Sequence, residues 1–291
     1  MAPITELLST GKTWSFEFFP PRSDAEQATL IRTLHELEPL QPSFVSVTYR
    51  GGAASRKRTF DLVTAMLHVT TLTPMAHLTC TGHSRLELAE ILVEYRKAGI
   101  ENLMALGGDP LPTDRGSPSE LHHAIELVEL ARAIGGFSIG VAAHPAGHPT
   151  SPDMEADRGR LAEKLALADF AITQFFFDAV QYAELVEDLA RRGLTRPVLP
   201  GIMPVTSLAS IPRMAEMGSP VPSWLQDRLQ SAAEVAGDEG VRAEGIAFAT
   251  ELCRGLLELG APGLHFYTLN RSTATREIYR ALGLAPALSA S

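Results

Sequence analysis

A chain of 291 residues with 45% hydrophobic and 20% charged side chains carries ample material for a core, which excludes a disordered or fibrous protein. Its 25 Lys and Arg against 34 Asp and Glu leave a net charge of −9, which argues against a general nucleic-acid binder; a small anionic substrate needs only local positive charge. Two cysteines, Cys80 and Cys253, form neither a disulfide framework nor a zinc pattern and fit a reducing cytoplasm. Nothing at the N-terminus resembles a signal peptide, and no apolar run is long enough to span a bilayer.

The first strand signal is Trp14-Ser15-Phe16-Glu17-Phe18-Phe19, aromatic with period-two alternation and stopped by Pro20-Pro21. Trp14, Phe16 and Phe18 share one face; Ser15, Glu17 and Phe19 share the other. Burying Glu17 ionised and unpaired costs several kcal/mol, roughly, so it must be paired, protonated or open to a ligand cavity. A structural ion pair is the plain alternative to catalysis.

Helical spacing over Asp24–Leu40, with Ser23 or Asp24 as N-cap, leads to a buried strand at Phe44–Tyr49 and the turn Gly51-Gly52. Arg56–Thr70 predicts a helix and Met75–Cys80 a strand. Ser84–Ala98 predicts an amphipathic helix closed by Gly99, and Asn102–Leu106 a strand running into Gly107-Gly108-Asp109-Pro110. A polar loop precedes the helix Ser119–Ile134. The rhythm then repeats: strand Phe137–Ala143, helix Asp153–Ala168, strand Phe170–Phe176, helix Ala179–Arg192, strand Pro197–Ile202. Helical material over Ser207–Glu234, broken by Pro212, Pro220 and Pro222, and a long helix Val241–Leu259 come before the strand Gly263–Thr268 and a closing helix Ala274–Leu282.

Eight strands alternating with helices and no domain-sized linker predict one (β/α)₈ TIM barrel over 1–291, with extra helices before strand eight. Residues 1–11 read as an N-terminal segment and 285–291 as a fraying tail. An open doubly wound sheet is the alternative, but Pro20-Pro21 stand where its glycine fingerprint belongs, and there is no Walker loop. Barrel chemistry sits at the C-terminal ends of the strands. Those ends hold Glu17, Thr48, His77 with Thr79, Asp109, His144, Gln174, and Tyr267 with Asn270, with Arg22, Arg56, Lys164 and Arg271 as basic groups nearby. His77, His144 and His148 raise the question of a metal, but a barrel metallohydrolase's His-x-His is missing from strand one, and no metal is expected.

The ordered set Ser15-Phe16-Glu17-Phe18-Phe19-Pro20-Pro21-Arg22, Val45–Tyr49, His77–Cys80, Gly108-Asp109-Pro110, His148-Pro149, Ala171–Phe177, Pro200–Pro204 and Leu264–Arg271 resembles the 5,10-methylenetetrahydrofolate reductases of bacterial type, nearly end to end. The resemblance implies a (β/α)₈ barrel with FAD across the strand ends, reduced by NADH or NADPH. Methylenetetrahydrofolate then takes the nicotinamide's place and becomes 5-methyltetrahydrofolate in a ping-pong cycle. By resemblance, Glu17 is the general acid that protonates folate N10, and Asp109 contacts the pterin and influences the flavin. Thr48, Tyr49, His77, Gly108, His144, His148, Asp157 and Lys164 match flavin-binding positions, with Asp109 beside them, and Gln174, Tyr267 and Arg271 match folate contacts. The partners expected are methylenetetrahydrofolate and NAD(P)H, with neither nucleic acid nor membrane; a homo-oligomer and a cytoplasmic location are compatible with this reading.

The chain departs from the family pattern in places. Gly107 stands for a usual arginine that contacts the flavin, His123 and His144 stand where many relatives carry Tyr or Phe, and Leu208 stands near a usual aromatic. The segment 50–56 also differs from the usual Gly-Ala-Gly-Gly-Ser. Two rivals follow: the same reaction by direct hydride transfer without flavin, and a non-catalytic folate- or flavin-binding barrel. The retained Glu17 argues against the second.

Overall fold

Strand β1 (Thr13–Phe18) begins the wall of a closed barrel in the computed structural model, which describes residues 2–49, 53–109 and 119–284. The wall continues through β2 (Phe44–Val47), β3 (Pro74–Thr79), β4 (Asn102–Leu106), β5 (Ser138–Ala143), β6 (Phe170–Phe175), β7 (Val198–Ile202) and β8 (Gly263–Tyr267). All neighbours pair in parallel, and β8 closes on β1, so among the described residues the fold is the expected (β/α)₈ barrel. The turn Gly51-Gly52, Pro110 with its polar loop, and the tail 285–291 lie outside the described residues.

The helices are α1 (Ile4–Thr10), α2 (Asp24–Leu37), α3 (Ala53–Val69), α4 (Arg85–Lys97), α5 (Ala124–Ile134), α6 (Met154–Leu167), α7 (Ala179–Arg191), α8 (Ile211–Glu216), α9 (Ser223–Glu258) and α10 (Thr273–Ala281). Side chains with free oxygens start several of them. Ser23 accepts from Glu26 N, Asp153 from Ala156 N, and Ser84 forms a reciprocal capping box with Glu87. Gly99, at φ +81°, ends α4 as its position predicts.

Alternation along each strand separates two cores. Phe16, Phe18, Val45, Val47, Ala76 and Leu78 face outward into the layer beneath the helices. Phe44, Met75, Met104, Phe170, Ile172 and Leu199 fill the barrel interior. Helix α1, which the sequence reading leaves as an unassigned N-terminal segment, plugs this interior from below. Ile4 is fully buried there with Leu7 and Leu8 beside it, and the helix start is held by Asn102 Oδ1 on Ile4 N (2.8 Å) and Ser138 Oγ on Thr5 N (3.1 Å). Being short, it owes its existence to that seat rather than to its own propensity.

Between β7 and β8 the expected extra helices are present. Pro212 lies in the first turn of α8, where a missing N–H costs nothing, so it starts that helix instead of breaking it. The two predicted helices after it form one α9 interrupted at Ala236–Gly237, where Gly237 takes φ +60°. The chain folds back there: Arg228 pairs with Glu244 (2.5 Å) and lies over the Phe248 ring (5.9 Å).

Candidate active site

Register brings the inward faces of β1, β2, β3 and β8 to one point. Ser15 pairs with His265, and Glu17 pairs with Tyr267 on one side and Ser46 on the other. Glu17 is 7% exposed. Its Oε2 lies 3.5 Å from Ser46 Oγ, 3.6 Å from His77 Nε2 and 3.7 Å from His265 Nε2. The floor beneath is apolar, since His265 is stacked on Phe44 at 6.2 Å. Burial pushes His77 down to about 4, with Glu17 opposing the shift and His265 reinforcing it. At neutral pH His77 is therefore an uncharged imidazole, and the pair with Glu17 is not an ion pair.

Tyr267 stands edge-on to His265, and its hydroxyl donates to Thr173 O at 2.7 Å. Burial, with Glu17 as the smaller cause, holds that phenol well above its usual pKa. Strand β7 makes room for it through Gly201, where a Cβ would meet Tyr267 Cε2 at 2.6 Å and Thr173 O at 2.3 Å. The apparent lack of chemistry on strand seven is thus a seat for a neighbour's ring. The backbone of Glu17 is fixed as well, since Thr268 Oγ1 donates to its carbonyl at 2.6 Å. Asn270 bridges Phe19 N (2.8 Å) and Phe19 O (2.9 Å), tying the ends of β1 and β8. To do so, Leu269 and Asn270 both adopt positive φ, a strained loop for a leucine.

Gln174 donates from Nε2 to Met217 O (3.1 Å), and Arg271 is exposed just past β8. Asp109 is exposed at the rim beyond β4. The adjoining Gly108 takes φ +87°, and a Cβ there would sit 2.6 Å from Thr81 Oγ1, so only glycine lets the backbone approach β3 this closely. Gly107 is different: a Cβ would make ordinary contacts of 3.7 Å with His122 O and 3.8 Å with Ala124 N, so a side chain fits.

The loop after β5 carries His144 and His148, whose rings meet edge-on at 4.7 Å. Arg158, which the sequence reading passes over, clamps it by donating to His144 O (2.8 Å) and Pro145 O (2.7 Å). Asp157 accepts from His148 N (3.0 Å), Ser151 Oγ (3.1 Å) and Arg158 (3.1 Å), so its carboxylate is spent inside the loop. Burial lowers His144 to about 4, helped by His148 and Lys164. Lys164 donates to Ala142 O (3.0 Å), and burial holds its pKa below the ordinary lysine range while Asp157 raises it. Tyr49 points away from the Glu17 cluster into the outer core, where its hydroxyl meets His83 Nε2.

Three buried polar atoms at the ends of β2 and β3 have no hydrogen-bond partner: Thr48 Oγ1, His77 Nε2 and Thr79 Oγ1. Buried groups of this kind normally find partners, so these three leave hydrogen-bonding capacity unused beside the mouth. Those donors suit a large cofactor with hydroxyl and phosphate groups, which Thr48, Thr79 and His77 would hold, with the Lys164 ammonium as a cation suited to phosphate. His265, Ser15 and Arg158 are what the sequence reading missed. The period-two pattern of strand eight puts His265 on the face of Tyr267, and that signal was available.

Fold and mouth together define a (β/α)₈ barrel of the enzyme type, with a buried carboxyl group set between two imidazoles at the strand ends, where barrel enzymes carry their chemistry. The profile of the family described as methylenetetrahydrofolate reductase matches residues 4–283. A 5,10-methylenetetrahydrofolate reductase of Pectobacterium carotovorum subsp. carotovorum is 36% identical over 94% of this chain and 90% of its own length. The one of Escherichia coli (strain K12) is 35% identical over 94% and 92%. The methylenetetrahydrofolate reductase (NADH) 1 of Arabidopsis thaliana is 32% identical, aligning with 97% of this chain and 50% of its own. Among solved structures, an uncharacterized protein from Clostridium thermocellum, described as binding two copies of 5-methyl-5,6,7,8-tetrahydrofolic acid, shares the fold at TM-score 0.67 and 13% identity, over 97% of each chain. The chain belongs to the methylenetetrahydrofolate reductase family. It is an oxidoreductase that reduces 5,10-methylenetetrahydrofolate. Among the described residues no helix is long and apolar enough to cross a membrane, and no group of three or more His, Cys, Asp or Glu side chains is arranged to hold a metal.

Proposed function

We propose that Glu17 is the proton donor of this reduction, acting on N10 of the folate so that the five-membered ring opens and the one-carbon unit becomes an acceptor for hydride. The observation that carries the reading is a single carboxyl group, nearly shut off from water, set between two imidazoles at the mouth of the barrel. A general acid has to hold its proton until the substrate arrives, and among the described residues no lysine or arginine pairs with this carboxyl. Tyr267 and Gln174 line the approach to Glu17 as folate contacts, Asp109 meets the pterin from the rim, and Arg271 offers an exposed cation to the folate's carboxylates.

The hydride comes from NADH or NADPH. FAD, when bound, supplies the relay between nicotinamide and folate. Thr48, His77, Gly108 and the adjoining backbone hold it on one side, with His144, His148 and Lys164 on the other. Asp157 holds the His148 loop in place rather than touching the cofactor, and Tyr49 contributes through its backbone. Both cysteines are buried and free, which accords with a cytoplasmic location.

Gly107 removes one charged contact, worth roughly 1.5–3 kcal/mol. At 1.4 kcal/mol per decade, FAD is expected to be held about ten- to a hundredfold more loosely than with an arginine there. The visible spectrum of the purified protein with added FAD tests this: flavin bands appear, and Gly107→Arg, which has space for its side chain, raises retention. If no flavin binds, FAD gives no gain and folate is still turned over with NADH, hydride passes directly from the nicotinamide.

A further inference from the structure

Ser15 Oγ lies 2.8 Å from His265 Nδ1 and 3.4 Å from Leu264 O. A hydroxyl has one proton to give and lone pairs to receive with, whereas a carbonyl only accepts. Both contacts are attractive in a single assignment: Ser15 donates to Leu264 O and accepts from His265 Nδ1–H. The imidazole then carries its proton on Nδ1 and turns a bare Nε2 lone pair toward Glu17 Oε2, 3.7 Å away. His265 is 1% exposed and wedged between Phe44 and Tyr267, so the ring has no freedom to present its other nitrogen.

A bare imidazole nitrogen attracts a carboxylic acid and repels a carboxylate. We propose that the Ser15–His265 pair is a positioning device that keeps the proton on Glu17: His265 Nε2 accepts from the carboxyl group until folate arrives. This rests on the reading of Glu17 as the acid. The separation of 3.7 Å is outside hydrogen-bond range, and unliganded catalytic contacts are commonly longer than those in the substrate complex. On protonation of the folate, the O–H bond of Glu17 breaks, its electron pair stays on the carboxylate and the proton passes to N10. None passes to His265.

The other groups facing Glu17 leave this role to His265. From β2 comes Ser46, which does not titrate in the working range. From β3 comes His77, also neutral at pH 7 and 3.6 Å away, but among the described residues no hydrogen bond fixes which of its nitrogens carries the proton, as Ser15 does for His265. From β8 comes Tyr267, whose hydroxyl is committed to Thr173 O. The loop after β8 adds only Thr268, on the backbone carbonyl.

The first test is ¹⁵N NMR of the histidine side chains in wild-type protein without ligands. His265 should show a protonated Nδ1 and an unprotonated Nε2; a proton on Nε2 overturns the proposal. The second compares pH profiles of folate reduction for His265→Phe and His265→Gln, with folding checked by circular dichroism. Losing a hydrogen bond that favours the acid form should move the alkaline limb of His265→Phe down by about one pH unit. The folate KM should stay within about twofold, and the amide of His265→Gln, able to accept near the Nε2 position, should restore most of the profile. Glu17→Gln is run beside them. If Glu17→Gln is inactive while His265→Phe keeps the wild-type limb, the positioning role is wrong and the acid assignment stands. If Glu17→Gln remains active, the acid assignment itself falls and takes this one with it.

Discussion

Asp109 and Glu17 are the two acidic residues named for chemistry, and their surroundings separate their tasks. Glu17 is buried among imidazoles, whereas Asp109 is exposed on the rim, next to a glycine whose φ of +87° brings the backbone against Thr79 and Thr81. An exposed carboxylate acts on what binds over it, so Asp109→Asn should slow folate reduction more than oxidation of NADH by a quinone. Equal losses in both, in a folded protein, would place its role elsewhere. Gly108→Ala should be far more damaging than its size suggests, since its Cβ would fall within 3.0 Å of three side-chain atoms of Thr79 and Thr81. Loss of both half-reactions with retained folding is the expected result; near-normal turnover would contradict it. At this scale the sequence was informative where a residue breaks its local pattern. A carboxylate in an aromatic strand stands out, while His265 resembles any polar residue in a half-polar strand until its register with Ser15 is known. Arg158 was invisible for the same reason: its partners are carbonyls of a loop on another element.

Strands and long helices followed from periodicity, because each has a face whose burial demands it. Helix α1 did not, being seven residues long and followed by Gly11. What orders it is the barrel floor, and no local pattern contains that. Replacing Ile4, fully buried among Phe44, Met75 and Leu199, with alanine should cost about 2–5 kcal/mol, read as a lower midpoint in denaturant. Folate KM should hold, because the plug is at the opposite end of the barrel from Glu17. A change in KM with no change in stability would mean that the floor and the mouth are coupled in a way this packing does not provide.

Across the whole molecule, burial of neutral histidines links stability to pH. His77 and His144 are both pushed from the ordinary 6.5 to about 4 in the folded protein. Between those values the unfolded chain binds protons that the folded one refuses, so stability is full above pH about 6.5 and falls as pH drops toward 4. Each residue contributes on the order of 3 kcal/mol to that loss at 1.36 kcal/mol per unit. Thermal midpoints should decline over this window, and His144→Phe should decline less steeply than wild type; equal slopes would contradict the account. The architecture was legible from eight strand signals and the spacing between them, but the convergence of side chains on Glu17 depends on strand register, which spacing does not set. That convergence is the central claim, and Glu17→Gln tests it most directly. Reduction of 5,10-methylenetetrahydrofolate by NADH, followed in a single turnover, should fall by about 10²–10⁴-fold while oxidation of NADH by a quinone stays near wild type. A variant that reduces the folate at close to the wild-type rate would show that the proton comes from another group.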